Sequence, residues 1–205
     1  MTTNVDNLRR TWNGRLCFYH PTQSGSGAAA RLEFHPARSD HEGCFFLELA
    51  RQKTVPTRNE NGRQTATFDW EKKITVKLGY LDSCSLLMVL EGKSEQAGSG
   101  RGGLFHDTPE ANTVINLRRQ TEPGGYALEV SRKRKDTADA EAQRARVLLS
   151  DSEAIGLRCL LQGSLFPMTL GSAMLSGGTG GEPIEGSARG GEDGALEETQ
   201  RSRSQ

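Results

Sequence analysis

The sequence predicts an α+β fold in which two four-stranded antiparallel β-sheets are each followed by a helix, a ββββα-ββββα order. Three observations point there. Segments with apolar/polar alternation recur from Arg15 onward, bounded by Gly, Pro, Ser or Asp clusters that read as turns. Two stretches change to helical spacing and open on capping residues. The order of elements, four strands and then a helix, runs through the chain twice, although the two halves share little identity and show no short repeat.

The first strand is Leu16 to His20 and the second Ala30 to His35, where Leu32 and Phe34 share one face and Arg31, Glu33 and His35 the other. In the third, Cys44 to Arg51, Phe45, Leu47 and Leu49 point one way and Phe46 and Glu48 the opposite way. A polar loop, TVPTRNENGRQT, leads to the fourth, Ile74 to Leu78, with Thr75 and Lys77 outward. Asp82 is suited to cap a helix over LDSCSLLMVLEGK, with Leu86, Leu87, Val89 and Leu90 as its apolar stripe and Gly92 as its stop. After the glycine-rich loop QAGSGRGG come Leu104 to His106, Thr113 to Arg118, Tyr126 to Arg132 and Arg146 to Leu149. Ser150 and Glu153 form a capping box in front of AIGLRCLLQGSLFPMTL, the second helix. Between the last two strands, RKRKDTADAEAQRAR reads as a charged hairpin loop or a short exposed helix. Two helices cover two sheets only by packing on each other or on a partner chain, so an oligomer is expected.

Composition sets the boundaries. The chain has 205 residues, 34% of them hydrophobic, and a mean hydropathy of -0.61. That is low for one compact domain unless part of the chain dilutes the average. Residues 171–205 supply the dilution, being rich in Gly, Ser and Glu with no aromatic residue, and are expected to form a disordered tail. The domain is therefore expected over 15–170, preceded by an extension at 1–14. The tail carries six acidic residues and three arginines, net -3, which leaves about +3 on the zero-charge chain's first 170 residues. Four scattered cysteines without a CxxC pair fit a reducing, cytoplasmic setting, and no segment approaches the ~18 continuous apolar residues of a membrane span. The opening MTTNVDNLRR lacks the apolar core of a secretion signal.

At the centre of the chain a resemblance becomes legible. FDWEKKITVKLGYLDSCSLLMVLEG (Phe68 to Gly92) resembles the middle of the Whirly family of single-stranded DNA-binding proteins, where an aromatic-Asp-Trp-x-x-Lys segment enters a strand and a Leu-rich helix. Leu104-Phe105-His106-Asp107 is similar to the family's Phe-His-Asp, and LLSDSEAIGLRCLLQGSLFPMTLG to its closing helix. The similarity spans roughly Leu16 to Gly171, with the Asp-Trp and His-Asp islands its specific parts. It implies a homotetramer that binds single-stranded DNA, or RNA as the related guide-RNA annealing factors of kinetoplast mitochondria do, without a cofactor. The family's early Lys-Gly-Lys-Ala-Ala-Leu segment is met here by Ser26-Gly27-Ala28-Ala29-Ala30-Arg31-Leu32, without the lysines.

A sheet that holds single strands needs aromatic or apolar side chains for stacking and cations along the phosphates. Alternation places Phe46, Arg31, Lys77, Arg118 and Arg132 on solvent-facing positions, and Lys72 and Lys73 just ahead of the fourth strand. Without the resemblance, such charges would more often simply solvate a sheet. Trp70 completes the set, although a Trp just before a strand more often packs across a sheet end, with Asp69 capping the turn. No enzymatic constellation stands out. His106-Asp107 lacks an accompanying nucleophile elbow and reads as a turn pair before Thr108-Pro109. The histidines and cysteines lack metal spacing, and Gly98 to Gly103 matches GxGxxG with a helix before it and a strand after it, the reverse of a dinucleotide site.

Overall fold

In the computed structural model the described residues are 15–38, 41–58, 64–98, 102–122, 124–136 and 141–170. The expected extension at 1–14, the expected tail at 171–205, the centre of the charged insertion (137–140) and part of the glycine-rich loop (99–101) lie outside them.

The first half runs β1 (Arg15–His20), β2 (Ala28–His35), β3 (Cys44–Arg51), a small separate hairpin of β4 (Thr57–Arg58) and β5 (Gln64–Thr65), then β6 (Ile74–Leu78) and helix α1 (Tyr80–Leu90). The second runs β7 (Leu104–Asp107), β8 (Ala111–Arg119), β9 (Tyr126–Arg134), β10 (Gln143–Leu149) and α2 (Asp151–Leu170). Each half builds one antiparallel sheet, in the orders β1-β2-β3-β6 and β10-β9-β8-β7. The predicted ββββα-ββββα order is the observed one. The polar loop after β3 holds a hairpin of its own, and β8, β9 and β10 run past their expected ends.

Alternation determines what each sheet buries. Phe45, Leu47 and Leu49 of β3 meet Ile74, Val76 and Leu78 of β6 on the inner face, while Ile115 and Leu117 of β8 meet Leu128 and Val130 of β9. With Leu86 and Val89 of α1 and Leu157 and Leu161 of α2 they form one continuous core. Full burial of each such side chain contributes about 1.5–3 kcal/mol. The sheets meet where β10 lies against β1, β2 and β3, and α1 packs on α2, with Gln162 Nε2 donating to Glu91 Oε1 at 2.9 Å.

The helix starts divide the prediction. At α2 the capping box is as expected: Ser150 N donates to Glu153 Oε2 at 2.8 Å, and Glu153 N donates to Ser150 Oγ at 3.3 Å. At α1 the cap position is Gly79, not Asp82, which sits one turn in and accepts the Gly79 N–H at 2.9 Å. An acid three residues inside a helix can reach back to the cap amide, and a glycine cap brings no side chain to compete with it. Each of these two carboxylates is also held by a histidine from the first strand of the opposite half. His106 Nε2 lies 3.1 Å from Asp82 Oδ2, and His20 Nε2 lies 2.9 Å from Glu153 Oε1. His106 and Asp107 are therefore strand residues on opposite faces of β7, and the turn is made by Thr108, whose Oγ1 accepts the Ala111 N–H at 3.1 Å.

Candidate nucleic-acid interface

The outer face of the first sheet carries five of the eight candidate residues, counting Trp70 at its margin. Register places Arg31 between Cys17 and Glu48, and Phe46 between Glu33 and Lys77. Its charges are largely paired with one another. Glu48, with a side chain 13% exposed, binds Arg31 Nε through one oxygen and Lys73 Nζ through the other, the latter at 2.6 Å. Burial works against the ionised form of Glu48, but Lys73 and Arg31 outweigh it and hold the carboxyl below the ordinary carboxylate range. Arg15 Nε meets Glu33 Oε2 at 2.7 Å. The Arg31 guanidinium also lies over the Trp70 ring, 4.5 Å from its centroid, and the His35 ring stands edge-on to Phe46 at 5.0 Å. Lys77 is exposed and has no ion-pair partner among the described residues.

Trp70, Glu71 and Lys72 form a 3-10 turn, and Asp69 accepts the Lys72 N–H at 3.3 Å, the turn-capping role that its position suggests. The Lys72 side chain is exposed.

The outer face of the second sheet is built differently. Its rows run Phe105–Val114–Ser131–Arg144, Asn116–Glu129–Arg146 and Arg118–Ala127–Leu148. Phe105 is 52% and Leu148 46% exposed. Arg118 and Arg144 have no ion-pair partner among the described residues, and Arg146 donates from Nη2 to the neutral Gln120 at 3.2 Å. The Oδ1 atoms of Asn112 and Asn116, on the same face, are buried and accept no hydrogen bond from the described residues. Cations and exposed apolar side chains are the groups that hold phosphates and stack on bases.

Of the predicted residues, only Arg118 lies on this face. Arg132 does not face solvent as expected: it continues the inward parity of Tyr126, Leu128 and Val130, and its Nη1 donates to the Thr75 carbonyl of the first sheet at 3.4 Å. Sequence reasoning missed Phe105, Leu148, Arg144 and Arg146. Arg144 and Arg146 alternate with the buried Ala145 and Val147 in QRARVLL, a signal hidden when the strand is started at Arg146.

No family model and no curated protein sequence matches the chain. Solved structures do match its fold. WHY3 from Arabidopsis thaliana superimposes with a TM-score of 0.58 at 16% identity, covering 80% of this chain and 93% of that one. The plant transcriptional regulator PBF-2 gives 0.56 at 16% identity over 78% and 84% of the two chains. MRP1/MRP2 of a trypanosome gives 0.52 at 20% identity over 78% and 89%. With two four-stranded sheets, each followed by a helix, and these structures as its neighbours, the chain has the Whirly-type fold.

Proposed function

We propose that this protein binds single-stranded nucleic acid without strong sequence preference and acts as a homo-oligomer, a tetramer by the resemblance its sequence carries. The observation that carries the reading is the outer face of the second sheet, where exposed Phe105 and Leu148 stand among Arg118, Arg144 and Arg146, none of them in an ion pair among the described residues. Stacking tolerates any base and phosphate pairing any sequence, so such a face favours affinity over readout. One structural neighbour, a guide-RNA-binding protein complex, was solved bound to its guide RNA, which supports a nucleic-acid ligand of the RNA type as the second reading.

Assembly is supported by the helices. Leu81 and Met88 of α1 are exposed, Leu81 at 77%, and Ile155, Phe166 and Leu170 share one exposed face of α2. Exposed apolar side chains on both helices are suited to cover by a second copy. No helix among the described residues is long and apolar enough to cross a membrane.

The test is a titration of a fluorescein-labelled oligo(dT) of roughly thirty nucleotides, followed by anisotropy, with its duplex and the matching RNA as competitors. Tight binding that the duplex does not displace is expected. Phe105→Ala should weaken it by about 1–3 kcal/mol, the value of one stacked base. Stronger displacement by RNA would favour the second reading, and no binding at low salt would end both.

A further inference from the structure

The seam between the two sheets forms a basic groove bordered by Arg144 and Arg146 of the second outer face and by Lys73 of the first. Arg51, the last residue of β3, continues the inward parity of Leu47 and Leu49 beyond the edge of the core and donates from Nε to the Arg144 carbonyl at 2.7 Å. On one side of it lies a cavity of about 590 Å³ lined by Arg144, Arg146 and the Gly25–Ala28 turn, and on the other a cavity of about 600 Å³ lined by Lys72, Lys73 and Gln143. Both share Arg51 and Gln52, so they adjoin along the seam on either side of the Arg51 side chain.

Its floor is fixed. Gln52 is 9% exposed; its Oε1 accepts the N–H groups of Thr22 and Gly27 at 2.8 and 3.1 Å, and its Nε2 donates to the carbonyls of Thr22 and Thr54, each at 2.9 Å. A Cβ at Gly27 would fall 2.3 Å from the His20 carbonyl oxygen, so the turn closes only with glycine there. Every hydrogen-bonding atom of the Gln52 amide is thus engaged, which holds the floor rigid beneath the cations.

Five cations line the groove against two carboxylates, Asp69 and Glu129, and of those cations only Lys73 is committed to a carboxylate among the described residues. A concave surface of one sign concentrates the field toward its mouth. Arginines and a lysine over a polar floor, without an exposed aromatic ring between them, match a phosphodiester backbone rather than bases.

We propose that the seam is the phosphate track of the bound strand: Arg51, Arg144 and Lys72 pair successive phosphates as the strand crosses between the sheets, while its bases lie on the outer face of the second sheet. This rests on the nucleic-acid reading above. The experiment measures oligo(dT) affinity of the full chain across a range of salt concentrations, for wild type, the Arg144→Gln/Lys72→Gln double variant, Phe105→Ala, and Lys93→Gln, which removes an exposed cation at the far end of α1. Each single-strand phosphate contact adds about 0.7 to the slope of log affinity against log salt. The double variant should therefore bind with a slope shallower by about 1.4, Phe105→Ala should lower affinity at unchanged slope, and Lys93→Gln should change neither. A double variant that binds with the wild-type slope overturns the track and leaves the binding function standing. A wild-type chain that binds no oligonucleotide overturns both.

Discussion

The outer faces of the two sheets have the same origin and different chemistry. Both are the solvent side of a four-stranded antiparallel meander, and both carry basic residues on alternate positions. On the first, Glu48 sits between Arg31 and Lys73 and binds both, and Glu33 binds Arg15. On the second, Glu129 is the only acid among Arg118, Arg144 and Arg146, and neither Arg118 nor Arg144 is paired among the described residues. The number of cations on a face is thus a poor guide to its attraction for phosphate. What decides is whether a carboxylate one strand away closes an ion pair: Glu48 does so with Arg31 and Lys73, whereas Glu129, across from Arg146, is in no ion pair among the described residues.

The strongest way to break this comparison is charge reversal on both faces. Arg118→Glu combined with Arg146→Glu should weaken oligonucleotide binding more than tenfold, above the ~1.4 kcal/mol that corresponds to a factor of ten, whereas Lys77→Glu on the first face should weaken it less. Anisotropy titrations at matched low salt decide it, and a larger effect at Lys77 would invert the assignment of the binding face.

A second variant converts the first face into one resembling the second. Glu48→Gln releases Arg31 and Lys73, and the salt slope of binding should steepen by about 0.7–1.4 as one or two freed cations reach phosphate. The same change leaves two partly buried cations without their acid, so stability to urea should fall by about 1–3 kcal/mol. Lost stability without a steeper slope would show that the first face takes no part in binding even when uncovered.

The smallest expected effect is on pH dependence. The folded-state carboxyl of Glu48 is held below its unfolded value, so its stabilisation is fully present above an unfolded carboxylate value of about 4.3 and disappears as pH falls through the lower folded value. Glu153 behaves alike: burial opposes its ionised form, and the hydrogen bonds from Ser150 together with His20 outweigh that. Wild type should therefore lose melting temperature as pH drops from about 5 toward 3, and Glu48→Gln should lose it less steeply while retaining the Glu153 contribution. Parallel pH curves for the two proteins would remove Glu48 from the acid response.

Much of the fold is legible in particular segments. Cys44–Arg51 and Ile74–Leu78 are strands from end to end as alternation marks them, and Ser150 with Glu153 marks the start of α2. These signals are local, because a strand's two faces and a helix's first turn are set by residues a few positions apart. Less of the site is legible. The parity of Tyr126, Leu128 and Val130 already turns Arg132 inward, so its direction is legible in that segment. Nothing near Arg31 in sequence shows that Glu48 and Trp70 will both engage it.

By itself, then, the sequence determined the order of elements, the inner and outer face of nearly every strand, and the resemblance carried by Phe68 to Gly92 and Phe105 to Asp107. Tertiary structure alone decided which cations are already paired and where the free ones gather. Glu48 reaches Lys73 only because β3 and β6 are neighbours in the sheet, and Arg51 meets Arg144 only because β10 packs across β3. Side-chain direction follows from the backbone's short period, whereas charge pairing depends on distances between segments that only the packed fold brings together.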